Sequence, residues 1–369
     1  MAFQGRGLRA LILGLALVLA PACATVQEGA RGTETLQTQI QALEARVRAV
    51  ESRREQVPAV VARARAAVAF IWGAYTFVDE AERPLRHVLN EAGEPIADVQ
   101  GVPRVDLTGT GPVAVLRYSG TAFLVDKQGH LLTNRHIAEP WWDDESAAPL
   151  LAAGLQPRFL QLRAFFQDRA DPVPIEVLRV DPELDVALVR TIGWTPTTEP
   201  LAIHPRPDRI TEGQPVMLVG FPTGLDAVLS KLTTQEYAAL ERAGTDTYGM
   251  VEHLARDQRL LPTITGGFVW EVKPHILVYD ARTAGGGSGG PVLDRQGQVI
   301  GVNAAYDPEF EGGNYGVPIR VGEALLTGGG LKVNGATRET PELLAEPGLP
   351  EKAPIGASSG ERSLQRTRR

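Results

Sequence analysis

Short apolar runs bounded by turn residues recur through most of the chain. They include VAVLRY at 113–118, TAFLV at 121–125, HLLTN at 130–134, IEVLRV at 175–180 and VALVR at 186–190. PVMLVG at 215–220, FVWEV at 268–272, HILVYD at 275–280, PVLD at 291–294, QVIGVNAA at 298–305 and YGVPI at 315–319 continue the series. An aromatic and β-branched run from Val68 through Val78 precedes them and reads as a buried strand. Turn sequences such as Asp126-Lys127-Gln128-Gly129 and Asp294-Arg295-Gln296-Gly297 separate several of these runs. Many short strands with few helices predict an all-β sandwich or barrel. Positions 139–155 and 226–260 are richer in Ala, Leu and Glu and read as partly helical insertions. A third insertion, punctuated by Gly and Pro, runs from about Asp79 to Pro112, and no internal repeat is apparent in the chain.

Ahead of the strands the period changes. Leu36, Ile40, Leu43, Val47, Val50 and Val57 fall on an a/d heptad seam closed by Pro58, with Arg54 at the one skipped position. The segment predicts an N-terminal helix, either a short coiled coil that joins copies into a homo-oligomer or an amphipathic helix lying on the body. Further upstream, Arg6 and Arg9 precede an apolar stretch at 10–20 that is too short to span a bilayer and suits an export signal. Ala20-Pro21-Ala22 fits ordinary signal cleavage, and Cys23 just beyond fits a lipobox whose thiol is acylated. Pro21 departs from the usual lipobox. Cys23 is the sole cysteine, and membrane anchoring through it is the reading taken. The expected division is signal peptide 1–22, anchor and stalk 23–57, N-terminal barrel 58–207, C-terminal barrel 208–328 and disordered tail 329–369. The mature protein is then exported, to the periplasm or to the membrane face of a bacterial cell envelope.

Composition narrows the chemistry. Among 369 residues, 37 Lys and Arg stand against 44 Asp and Glu, a net charge of −7 that argues against nucleic acid as a partner. A single cysteine excludes an intramolecular disulfide and a thiolate zinc site. No metal and no cofactor is expected.

Three segments carry the candidate chemistry. In Ala284-Gly-Gly-Gly-Ser-Gly-Gly-Pro-Val292, glycines surround Ser288, and backbone free of Cβ atoms can approach a ligand closely. The N–H groups of Gly286 and Ser288 are placed to bind a developing oxyanion. The same letters satisfy G-x-S-x-G, the nucleophile elbow of α/β-hydrolases, which requires a histidine after the serine. All six histidines precede Ser288, so that reading fails. The second segment, Thr133-Asn134-Arg135-His136, puts His136 at a strand-to-loop junction, while His130 sits at the preceding turn and is expected to face solvent. The third puts Asp185 among apolar residues at the start of a strand, where a carboxylate needs a charge-assisted partner such as an imidazolium. The alternative is a carboxylate facing solvent at a strand edge.

The order His136, Asp185, Ser288, within TNRHIA, LDVALV and GGSGGPV, resembles the chymotrypsin-fold serine proteases. It is most similar to bacterial, disulfide-free trypsin-like peptidases of the HtrA/Deg group, over roughly residues 60–325. The resemblance implies two six-stranded β-barrels with the active site in the cleft between them, and protein or peptide substrates. It implies Ser288 as nucleophile, His136 as general base and then acid, Asp185 as the residue orienting the imidazole, and Gly286 and Ser288 N–H as the oxyanion hole.

Four departures accompany it. Gly287 stands where trypsins have Asp and HtrA proteins usually Asn, so no Asp is present to anchor a newly cleaved N-terminus as in trypsin-style activation. The triple glycine 285–287 can let the oxyanion loop collapse and make activity conditional. No PDZ domain is expected after the body. The insertion at 226–260 is long enough to overhang the cleft. Arg282 lies where trypsins place the base of the S1 pocket: pointing inward it would favour acidic P1 residues, while the expected orientation, toward solvent, leaves a small apolar pocket beside Val302–Ala305. The expected activity is that of a serine endopeptidase, the alternative a non-catalytic or conditionally active scaffold on a protease fold.

Overall fold

A computed structural model describes residues 39–48, 57–99, 101–242, 246–306, 313–333 and 339. The chain divides into one unit through Ala59 and a second from Val60 onward. In the first, residues 39–48 are helical and the seam residues Ile40, Leu43 and Val47 are exposed. The stretch expected to be an export signal, Cys23 and most of the predicted tail lie outside the described residues. No described helix is long and apolar enough to cross a membrane.

The second unit contains both barrels. It opens within a helix at 57–67, whose Val60, Ala64 and Ala67 are buried. The first barrel runs β7 (Val173–Val180), β6 (Gln156–Phe166), β1 (Val68–Val78), β4 (Leu116–Leu124), β5 (His130–Thr133), β8 (Ala187–Thr191), and closes because β8 also pairs β7. The second is a closed six-stranded barrel of β10 (Thr263–Val272), β11 (Leu277–Tyr279), β14 (Asn314–Pro318), β13 (Val299–Tyr306), β12 (Pro291–Leu293) and β9 (Pro215–Gly220). Every ladder is antiparallel. The expected architecture of two six-stranded barrels is the one observed.

β1 explains much of the first barrel's solidity. All of its residues are buried, so both of its faces are covered. Phe70, Trp72 and, on β6, Phe165 form an aromatic layer with Phe221 and Tyr248. Phe70 and Phe221 meet edge to face at 5.2 Å, and the rings of Trp72 and Tyr248 lie 6.0 Å apart. Tyr248 belongs to α6 (Thr247–Arg256), the last helix of the 226–260 insertion after α4 (Leu225–Leu229) and α5 (Thr234–Arg242). That insertion therefore packs against the β1–β6 face, with Val251 and Leu254 buried in the same core. β6 is a strand the hydrophobic pattern did not predict, yet it pairs β1 along almost its whole length, with a bulge at Ala74/Tyr75.

The insertion after β1 contains an internal repeat, contrary to expectation. Asp79, Asn90, Asp98 and Asp106 each accept, through Oδ1, backbone N–H groups two or four residues onward. In each of these turns a backbone N–H bonds back to the carbonyl three residues earlier: Glu82 to Asp79, Gly93 to Asn90, Gly101 to Asp98 and Gly109 to Asp106. Such Asx-type turns are what these side chains stabilise in place of regular ladders. The last three turns recur every eight residues. The residues two positions before these turns close a ring: Val88 N donates to Arg104 O (3.0 Å), Arg104 N to Ile96 O (2.7 Å) and Ile96 N to Val88 O (2.9 Å). Past the second barrel, β15 (Leu331–Lys332), in the segment read as tail, pairs β7.

Candidate active site

β5 ends at Thr133, and the chain then makes one helical turn, α2 (Arg135–Ala138), rather than entering a loop. That turn buries His136 and aims its ring at Asp185, which lies just before β8. His136 Nδ1 is 2.7 Å from Asp185 Oδ2, and the His136 backbone N–H donates to Asp185 Oδ1 at 3.0 Å. Asp185 is 9% exposed, so the expectation of a carboxylate with a partner, not one facing solvent, describes what is seen. With Nδ1–H donated to the carboxylate, Nε2 is left as the acceptor.

Two neighbours that the sequence reading did not single out fix this pair. Asn134 Nδ2 donates to the Asp185 carbonyl at 2.6 Å. Arg135 donates to the carbonyls of Asp181 and Pro182, pairs Glu139 at 2.9 Å and lies over the Trp142 ring. The helical turn and the Asp185 loop are thus held together by bonds independent of the His136–Asp185 contact. His130 starts β5 half-buried, its Nδ1 2.6 Å from Asp126 Oδ2, away from this group.

Ser288 is buried, and its hydroxyl donates to the Ala304 carbonyl at 3.1 Å. Among the described hydrogen bonds this is the one the hydroxyl makes; none joins it to the His136 imidazole. The backbone of Ser288 nonetheless meets the His136 side of the molecule. Thr121 N donates to Ser288 O at 2.9 Å, and the Thr121 carbonyl accepts from Thr133 Oγ1, three residues before His136. Gly289, at φ +84°, makes this approach possible: a Cβ there would stand 1.9 Å from Thr121 O.

The loop before Ser288 has a definite conformation. Gly287, Gly289 and Gly290 N–H donate to Ala284 O, Asn303 O and Gly287 O. The N–H groups of Gly286 and Ser288 donate to no acceptor among the described hydrogen bonds. Gly286 has φ +84°, and a Cβ on it would strike Gly224 N at 2.5 Å and Phe221 O at 2.7 Å. The Gly285 carbonyl accepts from Thr223 N, itself at φ 58°. Asn303 supports the loop from beneath, Nδ2 donating to Gly287 O at 2.8 Å and Oδ1 accepting from the Tyr279 hydroxyl. Burial raises the Tyr279 pKa well above the ordinary phenol value, so the hydroxyl keeps its proton and remains a donor.

A side chain at position 287 would meet the Thr283 hydroxyl, which would have to turn away to admit it. Arg282 is exposed, at the edge of a small cavity that Thr263, Thr265, Thr283 and Gly287 also line. Asn314, buried on β14, donates through Nδ2 to the Ala281 carbonyl. Among the described residues no cluster of His, Cys, Asp and Glu is arranged to hold a metal ion.

Residues 120–302 match the trypsin-like peptidase domain family. The chain is 28% identical to Protease Do-like 1, chloroplastic, of Arabidopsis thaliana, over 55% of this chain and 37% of that protein. It is 25% identical to the putative serine protease HhoB of Synechocystis sp., over 58% of this chain and 42% of the relative. It is 26% identical to a probable periplasmic serine endoprotease, DegP-like, of Chlamydia pneumoniae, over 50% and 28%. The chain thus spans less than half the length of each. The solved HtrA-type protease AlgW with tripeptide aligns over 73% of this chain and 61% of that one, at 18% identity and a TM-score of 0.41. Residues 120–302 thus resemble a trypsin-like peptidase domain, and the relatives the chain is similar to are Do-like (Deg) serine proteases.

Proposed function

We propose that this chain is a serine endopeptidase that hydrolyses peptide bonds of protein or peptide substrates through an acyl-enzyme. The Asp185–His136 contact is the observation that carries the reading. It holds the imidazole in the tautomer whose Nε2 can take a proton. In the proposed cycle the Ser288 hydroxyl leaves Ala304 and turns to Nε2. Its oxygen attacks the scissile carbonyl as its proton passes to His136. Gly286 and Ser288 N–H bind the oxyanion, and Asp185 stabilises the imidazolium. Protonated His136 then delivers its proton to the departing amine as the C–N bond breaks. Water, deprotonated by His136, attacks the acyl-enzyme, and its proton returns to Ser288 when the acid is released.

The bond from Ser288 to Ala304 favours a second reading beside this one, a protein whose catalysis is conditional, or a scaffold on a protease fold. Labelling with a fluorophosphonate separates them. The endopeptidase reading expects modification of Ser288, lost in Ser288→Ala, together with cleavage of an unfolded protein. Absence of labelling under every condition, added peptide included, would leave the scaffold.

Export rests on the apolar stretch at 10–20, and anchoring on Cys23. A Cys23→Ser variant is expected to leave the membrane fraction in detergent partitioning. The exposed Ile40, Leu43 and Val47 support self-association through the 36–57 heptads.

A further inference from the structure

Thr121 lies in β4 of the first barrel and is fully buried, yet two of its atoms, the amide N and Oγ1, bond to loops of the second barrel. Its N–H donates to Ser288 O (2.9 Å). Its hydroxyl donates to Gly286 O (2.9 Å) and accepts from Phe221 N (3.2 Å). Its carbonyl accepts from Thr133 Oγ1 (2.7 Å). One residue therefore grips the carbonyls of both Gly286 and Ser288, the two residues whose N–H groups are assigned to the oxyanion. The hydroxyl's single proton and one lone pair are used in opposite directions, so the group has one satisfied orientation.

The loop needs such a grip. Gly285, Gly286 and Gly287 carry no side chains to restrain them, and the space beside Gly287 is taken by Thr283. The Gly286–Gly287 peptide, held at its carbonyl by Thr121, lies between the two peptides that carry the Gly286 and Ser288 N–H groups. Its displacement would shift those donors, and small misplacements of such groups are costly in rate.

We propose that the Thr121 hydroxyl is the positioning group that keeps the oxyanion site formed, acting from the opposite barrel through the Gly286 carbonyl. This rests on the proteolytic reading above. A hydroxyl in this role affects the transition state and leaves ground-state binding largely untouched.

The test uses the full chain and active-site titration with a fluorophosphonate, so that kcat is counted per competent site. Thr121→Val, close in shape but without the hydroxyl, is expected to lower kcat by about 10- to 100-fold with KM nearly unchanged. The affinity of a peptidyl boronate, a tetrahedral mimic, falls in the same ratio. Thr121→Ser recovers most of both, and Thr121→Cys, a weak donor of similar size, lies between. If the valine variant does not fold, the serine–cysteine difference carries the test. Wild-type kcat per titrated site in Thr121→Val, or equal values for the serine and cysteine variants, overturns the proposal. So does a loss confined to the fraction of titratable sites, which reports folding alone. A wild-type chain that no fluorophosphonate labels overturns the proteolytic reading itself, and the role of Thr121 with it.

Discussion

Asp185 grips His136 at two points, its Oδ2 at the ring Nδ1 and its Oδ1 at the backbone N–H, at 2.7 and 3.0 Å. The carboxylate thus sets both the tilt of the ring and the start of the helical turn that carries it. Asp185→Asn keeps the shape but presents an amide N–H to one of these donors. Proton-accepting Nε2 is then lost to the other tautomer, and kcat is expected to fall by about 10⁴. Steady-state kinetics on a peptide substrate would show it, with KM changing far less.

Single and double removal of Ser288 and His136 are expected to cost nearly the same. Once the nucleophile is gone, a base has nothing to deprotonate. Rates of Ser288→Ala, His136→Ala and the double variant, measured on one substrate, check this, and losses that multiply would argue against a shared step.

Gly289 sits where the barrels touch. A methyl group there would overlap the Thr121 carbonyl at 1.9 Å and Thr133 Oγ1 at 2.4 Å, on backbone already at φ +84°. Gly289→Ala is expected to destabilise the fold by about 3 kcal/mol or more, from overpacking and backbone strain together. Urea unfolding gives the number.

Trp72 packs its indole between barrel and insertion, while its Nε1 has no hydrogen-bond partner among the described residues. Trp72→Ala is expected to cost about 3–5 kcal/mol. Trp72→Phe should cost much less, because it also removes an unsatisfied donor. Equal losses in chemical denaturation would mean that the N–H is paired after all.

His87 gives the insertion after β1 a pH dependence. Its Nδ1 is buried without a partner, and burial lowers the pKa of the ring below the usual 6.5. As pH falls through 6.5 the unfolded chain takes up the proton first, so stability present above that pH declines below it. His87→Phe should flatten the difference in unfolding free energy between pH 7 and pH 5 relative to wild type. An unchanged difference would place the proton uptake elsewhere.

The barrels were legible because most strands are short apolar runs closed by turn residues. His136, Asp185 and Ser288 were legible because each sits in a distinctive local string. β6 was not. Its QPRFLQLRAFF interrupts apolar alternation with Arg158 and Arg163, and its place is set by pairing to β1. Nor were Thr121 and Asn303, whose roles come from hydrogen bonds to Gly286 and Gly287 that local sequence does not encode. The repeat does carry a sequence signal, an Asx residue followed by Gly three positions later, at Asn90, Asp98 and Asp106.

That repeat ends in a closed circuit of hydrogen bonds through Val88, Ile96 and Arg104. Val99, at 96% exposure, projects from it beside the half-exposed Val102. Apolar side chains on an open strand edge invite pairing by foreign chains. Here the central amides and carbonyls are already spoken for, so the projection can display hydrophobic residues to solvent without offering a template on which an aggregate could grow.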